Sequence, residues 1–266
     1  MDLPGITDVA DARREAWRPG DAWLAGGTWL FSEPQPALSR LLDLRAYRWP
    51  ALRRQPDGLE VAATCTLAEL ARAELPPWPA APLIGRCCAA LLGSFKVWNA
   101  ATVGGNICLA LPAGPMISLT AALDGIGVIW APGGAERHVP IAEFVTGPGQ
   151  NVLAPGELLR SVWLPAAALA GTTAFRQLSL SPLGRSAAVV IGRRSPADGS
   201  LVITVTAATP RPVQLRFAAA PGPERLLAAL TASVPRYHDD VHGSPAWREA
   251  ITRQLALEVL TELESS

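Results

Sequence analysis

The chain has 266 residues, 49% of them hydrophobic, enough to bury cores in two small domains. Lys plus Arg equals Asp plus Glu at 23 each, so no net field draws the chain to nucleic acid or to an anionic membrane. The start, MDLPGITDVA, lacks the basic and apolar regions of a signal peptide, and no uninterrupted apolar run reaches the roughly 18 residues of a membrane helix. A cytoplasmic protein is expected.

Helical spacing of Val9, Ala12, Ala16 and Trp17 predicts a first helix capped by Thr7 or Asp8. Ala22–Ala25 reads as a short strand that breaks at Gly26–Gly27–Thr28, and Leu41–Leu44 as the next strand. Pro34 and Pro36 forbid a long helix between them. Leu59–Ala63 is a further strand. Thr66 and Glu69 form a capping box for a helix that stops before Pro76 and Pro77. Pro82 opens another helix that runs through Leu92 and stops at Gly93.

A second glycine pair comes next in Thr102–Val103–Gly104–Gly105–Asn106, and an apolar helix over Met116–Leu123 ends at Asp124–Gly125. Gly127–Trp130 and Glu136–Val139 flank Pro132–Gly133–Gly134 as a hairpin, and Leu158–Leu164 is a buried strand. Ala174–Leu180, Ala187–Ile191 and Leu201–Ala207 read as three strands followed by two helices. The last helix is capped by Ser244–Pro245 and carries Trp247, Ile251 and Leu255 on one stripe. A domain boundary is placed between Pro165 and Gly171.

The chemical signal lies in the two glycine clusters. Each pair of glycines, closed by Thr or Asn, lets backbone N–H groups approach an anion with no Cβ in the way. Two such bends read as opposite jaws of one dinucleotide site, organised around the stretch Asn99–Asp124. A Rossmann dehydrogenase is disfavoured, because the two prolines exclude the long helix that a G-x-G-x-x-G turn must open. Cys65, Cys87, Cys88 and Cys108 show no C-x-x-C spacing and read as reduced, packed thiols. His138, His238 and His242 have no partner at metal or base spacing, and no Ser-His-Asp or paired-carboxylate constellation stands out.

With LAGGTWL at Leu24–Leu30, NAATVGGNI at Asn99–Ile107, GELLRSVWLP at Gly156–Pro165 and AFRQLSLS at Ala174–Ser181 in this order, the chain resembles the FAD-binding medium subunit of the molybdenum hydroxylases. That family includes the carbon monoxide dehydrogenase medium subunit and the flavin domain of xanthine dehydrogenase. The resemblance implies an α+β fold. An FAD-binding portion of the PCMH type, residues 1–168 in two subdomains (1–55 and 56–168), precedes a C-terminal three-stranded antiparallel sheet with helices, residues 169–266.

It also implies FAD as cofactor. A large molybdopterin-binding subunit and a small [2Fe–2S] subunit would be partners, with electrons passing through the flavin to an external acceptor. The implied FAD contacts are Ala25, Gly26, Gly27, Thr28 and Trp29 on one side, and Thr102, Val103, Gly104, Gly105 and Asn106 on the other. Leu158 falls where relatives approach the isoalloxazine, and Arg176 where they carry a basic residue near the flavin. The bland alternatives are a core leucine and a solvated surface arginine. Two departures stand out. Trp29 replaces an acidic or small polar residue after AGGT, and Pro115 stands where relatives tend to carry an aspartate. One lost charge-assisted hydrogen bond, about 1.5–3 kcal/mol, weakens FAD without abolishing binding. A flavin-free structural subunit and a self-contained flavin oxidoreductase are the rival functions.

Overall fold

The computed structural model describes residues 8–13 and 16–265. It opens on a small parallel sheet rather than on a helix. Strand β1 (Asp8–Asp11) pairs in parallel with β3 (Arg40–Asp43), which also pairs in parallel with β2 (Asp21–Leu24). The expected first helix is therefore corrected, and Thr7 lies outside the described residues. Asp11 turns its carboxylate back to accept the Arg13 N–H (2.9 Å), a local bond that competes with helical pairing. The Ala16 carbonyl is taken by the Arg40 side chain (3.0 Å) instead of by a helical N–H. Arg40 also grips the buried Asp21 with two hydrogen bonds of 2.9 and 2.7 Å, tying β2 to β3. Those bonds hold the Asp21 carboxyl below the usual carboxylate range.

A second, antiparallel sheet has the order β4-β5-β10-β6-β7. β4 (Leu52–Gln55) and β5 (Gly58–Ala62) form its first hairpin. Helix α1 (Leu67–Arg72) carries the capping box: Thr66 Oγ1 accepts the Glu69 N–H (3.1 Å), and Glu69 accepts the Thr66 N–H (2.8 Å). Helix α2 (Ala81–Ala89) ends short of the expected Leu92, and a single turn, α3 (Phe95–Trp98), precedes the second glycine pair. That pair lies inside α4 (Val103–Cys108), with α5 (Pro115–Ala122) close behind.

The predicted hairpin is β6 (Ile126–Trp130) and β7 (Glu136–Pro140). One turn of helix, α6 (Ile141–Phe144), leads into the small pair β8 (Val145–Gly147) and β9 (Gln150–Asn151). Central strand β10 (Leu158–Pro165) and the turn α7 (Ala166–Leu169) complete this part.

The last part is an antiparallel sheet of four strands, not three. β11 (Thr172–Leu178), β12 (Ala188–Arg194) and β13 (Leu201–Thr206) are the expected ones, and β14 (Val213–Phe217) adds an edge. Helix α8 (Pro223–Ser233) and the 20-residue α9 (Pro245–Glu264) complete it, α9 lying across β11 and β12.

All eight residues of α5 are buried, between α2 and α4 on one side and β12 and β13 on the other. Its last carbonyls, which no helical N–H can reach, are met by side chains of the C-terminal sheet. Gln214 Nε2 donates to Ala121 O (2.7 Å) and Arg193 Nε to Ala122 O (3.0 Å). Asp124, left-handed at φ 49°, closes the same junction by pairing with Arg193 and with Arg216 (2.6 Å). No helix among the described residues is long and apolar enough to cross a membrane.

Candidate cofactor site

The two glycine loops meet. Beyond the buried end of β2 the chain turns at Ala25, and Gly26 lies so close to the second loop that an added Cβ would overlap the Ala100 carbonyl, 2.7 Å from its carbon. Only a residue with no side chain permits this approach. Gly27 is left-handed (φ +70°), and a Cβ there would overlap the Phe31 ring, 2.6 Å from its Cδ2. Its carbonyl accepts the Phe31 N–H (2.9 Å), which curls the loop over. Among the described residues, the N–H groups of Gly26, Gly27, Thr28 and Trp29 find no protein acceptor. A row of unspent donors at one bend is what an anion such as a diphosphate requires.

The second loop is built in the opposite way. It enters as a single β-bridge between Thr66 and Thr102 and turns at once into α4. Every N–H of that first turn is already committed. Val103 donates to Cys65 O (2.8 Å), Gly104 to Ala63 O (2.9 Å), Gly105 to Thr102 Oγ1 (3.0 Å) and Asn106 to Thr102 O (3.0 Å). The expectation that these main-chain groups face a ligand is thus corrected: the segment leaving β5 and the Thr102 cap consume them. Gly104 is small because a Cβ would stand 2.8 Å from Ala63 Cα, so this glycine serves helix–strand packing.

What remains free on this side is side-chain chemistry. Asn106 Oδ1 accepts the Met116 N–H (2.9 Å), standing in for the cap that Gly114 cannot give α5. With its oxygen so used, the amide keeps both Nδ2 protons to donate. Pro115 occupies the first position of α5, where the missing N–H costs nothing.

The loops frame a cavity of about 690 Å³, within the size range of cofactor pockets. Ala25, Gly26, Gly27, Thr28 and Trp29 line it, and so do Thr102, Gly105, Asn106 and Pro115. Val103 and Gly104 lie behind it, buried against the core. Leu158 and Arg176 lie elsewhere. Leu158 packs with Ala12, Leu42 and Leu44 under the first sheet. Arg176 reaches from β11 to α9, pairing with Glu258 (3.1 Å) and Glu262 (2.5 Å), and these carboxylates raise its pKa.

A third wall, not anticipated from the sequence, comes from Leu183 and Arg185 in the β11–β12 turn and from His242 ahead of α9. The Pro-Leu-Gly run before Arg185 signals a turn but says nothing of where the turn points. Trp23 also lines the cavity, with its indole N–H fixed on Glu157 O (2.9 Å). Cys108 contributes a thiol whose pKa burial pushes up to about 12, so it stays protonated. A smaller hollow on the outer face of the five-stranded sheet holds Glu60 between Arg53 and Arg160, and Glu136 bonded to Trp130 and His138. Its charged groups answer one another.

Residues 6–167, more than half of the chain, match the model of the FAD binding domain in molybdopterin dehydrogenase. The chain belongs to this family. The family's cofactor fits the geometry: a cradle that only glycine permits, unspent N–H donors, a free amide and a mainly apolar cleft. The whole chain of this molybdopterin-dehydrogenase flavoprotein follows the fold of solved relatives. Against the reconstituted CO dehydrogenase from Oligotropha carboxidovorans it aligns over 100% of its length and 99% of that chain, with TM-score 0.84 and 20% identity. The CO dehydrogenase from Hydrogenophaga pseudoflava that lacks the Mo-pyranopterin moiety gives TM-score 0.79 and 21% identity over 100% and 99%. Quinoline 2-oxidoreductase from Pseudomonas putida 86 gives 0.78 and 20% over 99% of both chains. No curated protein sequence matches the chain.

Proposed function

We propose that this chain is the FAD-binding electron-transfer subunit of a cytoplasmic molybdenum hydroxylase. A large molybdopterin subunit and a small [2Fe–2S] subunit would complete it. When bound, a flavin supplies a centre that takes up and releases electrons singly or in pairs. This chain's task is to hold that centre.

The N–H groups of Gly26–Trp29 would hold the diphosphate, and the Asn106 amide and Thr102 hydroxyl would donate from the facing wall. The apolar sides of the cleft, among them Leu91, Val97 and Ala113, would keep water off a bound flavin. One observation carries this assignment: Gly26 is pressed against the Ala100 carbonyl while the N–H groups beside it are left unused. Exposed apolar side chains on the cleft rim, Leu92 at 47% and Leu183 at 85%, support a face that other subunits cover.

The test is a flavin titration of the purified chain. Stoichiometric quenching of FAD fluorescence and a visible flavin spectrum are expected, and a chain that takes up no flavin overturns the proposal. Native mass spectrometry of the complex should recover two further chains, one with molybdenum and one with iron.

A further inference from the structure

The wall that closes the cleft from the C-terminal side hangs on one guanidinium. Arg248, in the first turn of α9, is 1% exposed. Its Nη1 donates to Ala187 O (2.6 Å) and to Ala207 O (2.6 Å), and its Nε to Gly243 O (3.0 Å). Its Nη2 pairs with the Asp240 carboxylate, whose Oδ1 also takes the His242 N–H (2.8 Å).

These acceptors belong to three segments, two of which carry residues that line the cleft, while the third bonds to a lining segment. Ala187 ends the turn that carries Leu183 and Arg185. Asp240 and Gly243 hold His242 between them. Ala207, left-handed at φ 64°, gives its own N–H to Pro112 O (2.8 Å), in the segment whose Leu111, Ala113 and Gly114 line the cavity.

A buried arginine is tolerated only when its donors are met. Anchoring α9 on the sheet needs no charge, since Ile251, Leu255 and Leu263 do it with apolar contact. A planar fork of five donors is suited to carbonyls that belong to no shared ladder.

We infer that Arg248 is a positioning residue for the cofactor: it sets Leu183, Arg185 and His242 against whatever fills the cleft, without touching it. The inference rests on the FAD assignment above. Its test uses the full chain and two readouts, FAD affinity by fluorescence quenching and hydrogen exchange of the cofactor-free protein.

Arg248→Lys keeps the charge but cannot reach every carbonyl. It should weaken FAD about tenfold, the effect of one lost hydrogen bond to a charged group. Exchange should rise together in residues 181–187 and 240–243 while β5 and β10 hold theirs. In an Arg185→Ala/His242→Ala background the same substitution should cost clearly less affinity, because of the three groups it positions only Leu183 remains. If Arg248→Lys fails to fold, Asp240→Asn loosens the same hub from outside α9 and should give the same pattern. Undiminished affinity, or an equal loss in the double-alanine background, overturns the inference and leaves the FAD assignment standing. A wild-type chain that binds no flavin overturns both.

Discussion

The two glycine loops look alike in sequence and do different work. At Gly26–Gly27 the absence of side chains serves approach: one loop touches the other, and the N–H groups stay free. At Gly104–Gly105 it serves packing: the helix settles on Ala63, and its four leading N–H groups are consumed by Cys65, Ala63 and the Thr102 cap. Paired glycines therefore do not by themselves mark a ligand nest. The number of unspent donors separates the two cases.

This contrast can be broken by substitution. Gly26→Ala should have the largest effect on cofactor binding. Its Cβ meets backbone rather than a movable side chain, and overpacking of about 1–3 kcal/mol translates into up to about a hundredfold loss of FAD affinity. Affinity within about threefold of wild type, by flavin titration, would remove this loop from the site. Asn106→Asp comes next. It keeps an oxygen for the Met116 N–H but replaces the free amide with a negative charge, and about a tenfold loss is expected. An unchanged Kd would make Asn106 purely a helix cap.

Gly104→Ala should reverse the balance. Thermal unfolding should show about 1–3 kcal/mol of lost stability, while FAD affinity of the folded protein moves less than in the two variants before it. Smallest of all is Arg176→Gln. Its ion pairs with Glu258 and Glu262 are a third exposed or more, so about 1 kcal/mol or less of stability is at stake. The potential of the bound flavin, read by spectroelectrochemistry, should not shift, and a clear fall on substitution would return Arg176 to the cofactor's surroundings.

Much of the fold was legible because its signals are local. The Thr66–Glu69 capping box, the hairpin around Gly133–Gly134 and the cap at Ser244–Pro245 each need only a few neighbouring residues, and each forms. Where local signals compete with distant partners, the partners win. Val9 and Ala12 have helical spacing, yet their segment pairs with β3 some thirty residues on. Val213–Phe217, by contrast, alternates apolar and polar residues with the period of a strand, and it pairs with the neighbouring β13.

The site divides along the same line. The steric need for glycine at Gly26 was readable as a pattern. That Ala63 and Cys65 would absorb the second loop's donors was not, because nothing near Gly104 in sequence announces them. Nor was the third wall, whose Arg185 and His242 lie in segments joined by a buried arginine at a position that the helical pattern would have filled with an apolar residue.

The family match stops at residue 167, but α5 still leans on the sheet beyond that point. A gene cut there would leave a helix that is buried along its whole length with one flank in water. The carbonyls of Ala121 and Ala122 would lose Gln214 and Arg193, and the truncated product is expected to aggregate. The unit that evolution can shuffle, or that a biochemist can express, accordingly runs past residue 167 and takes in the C-terminal sheet.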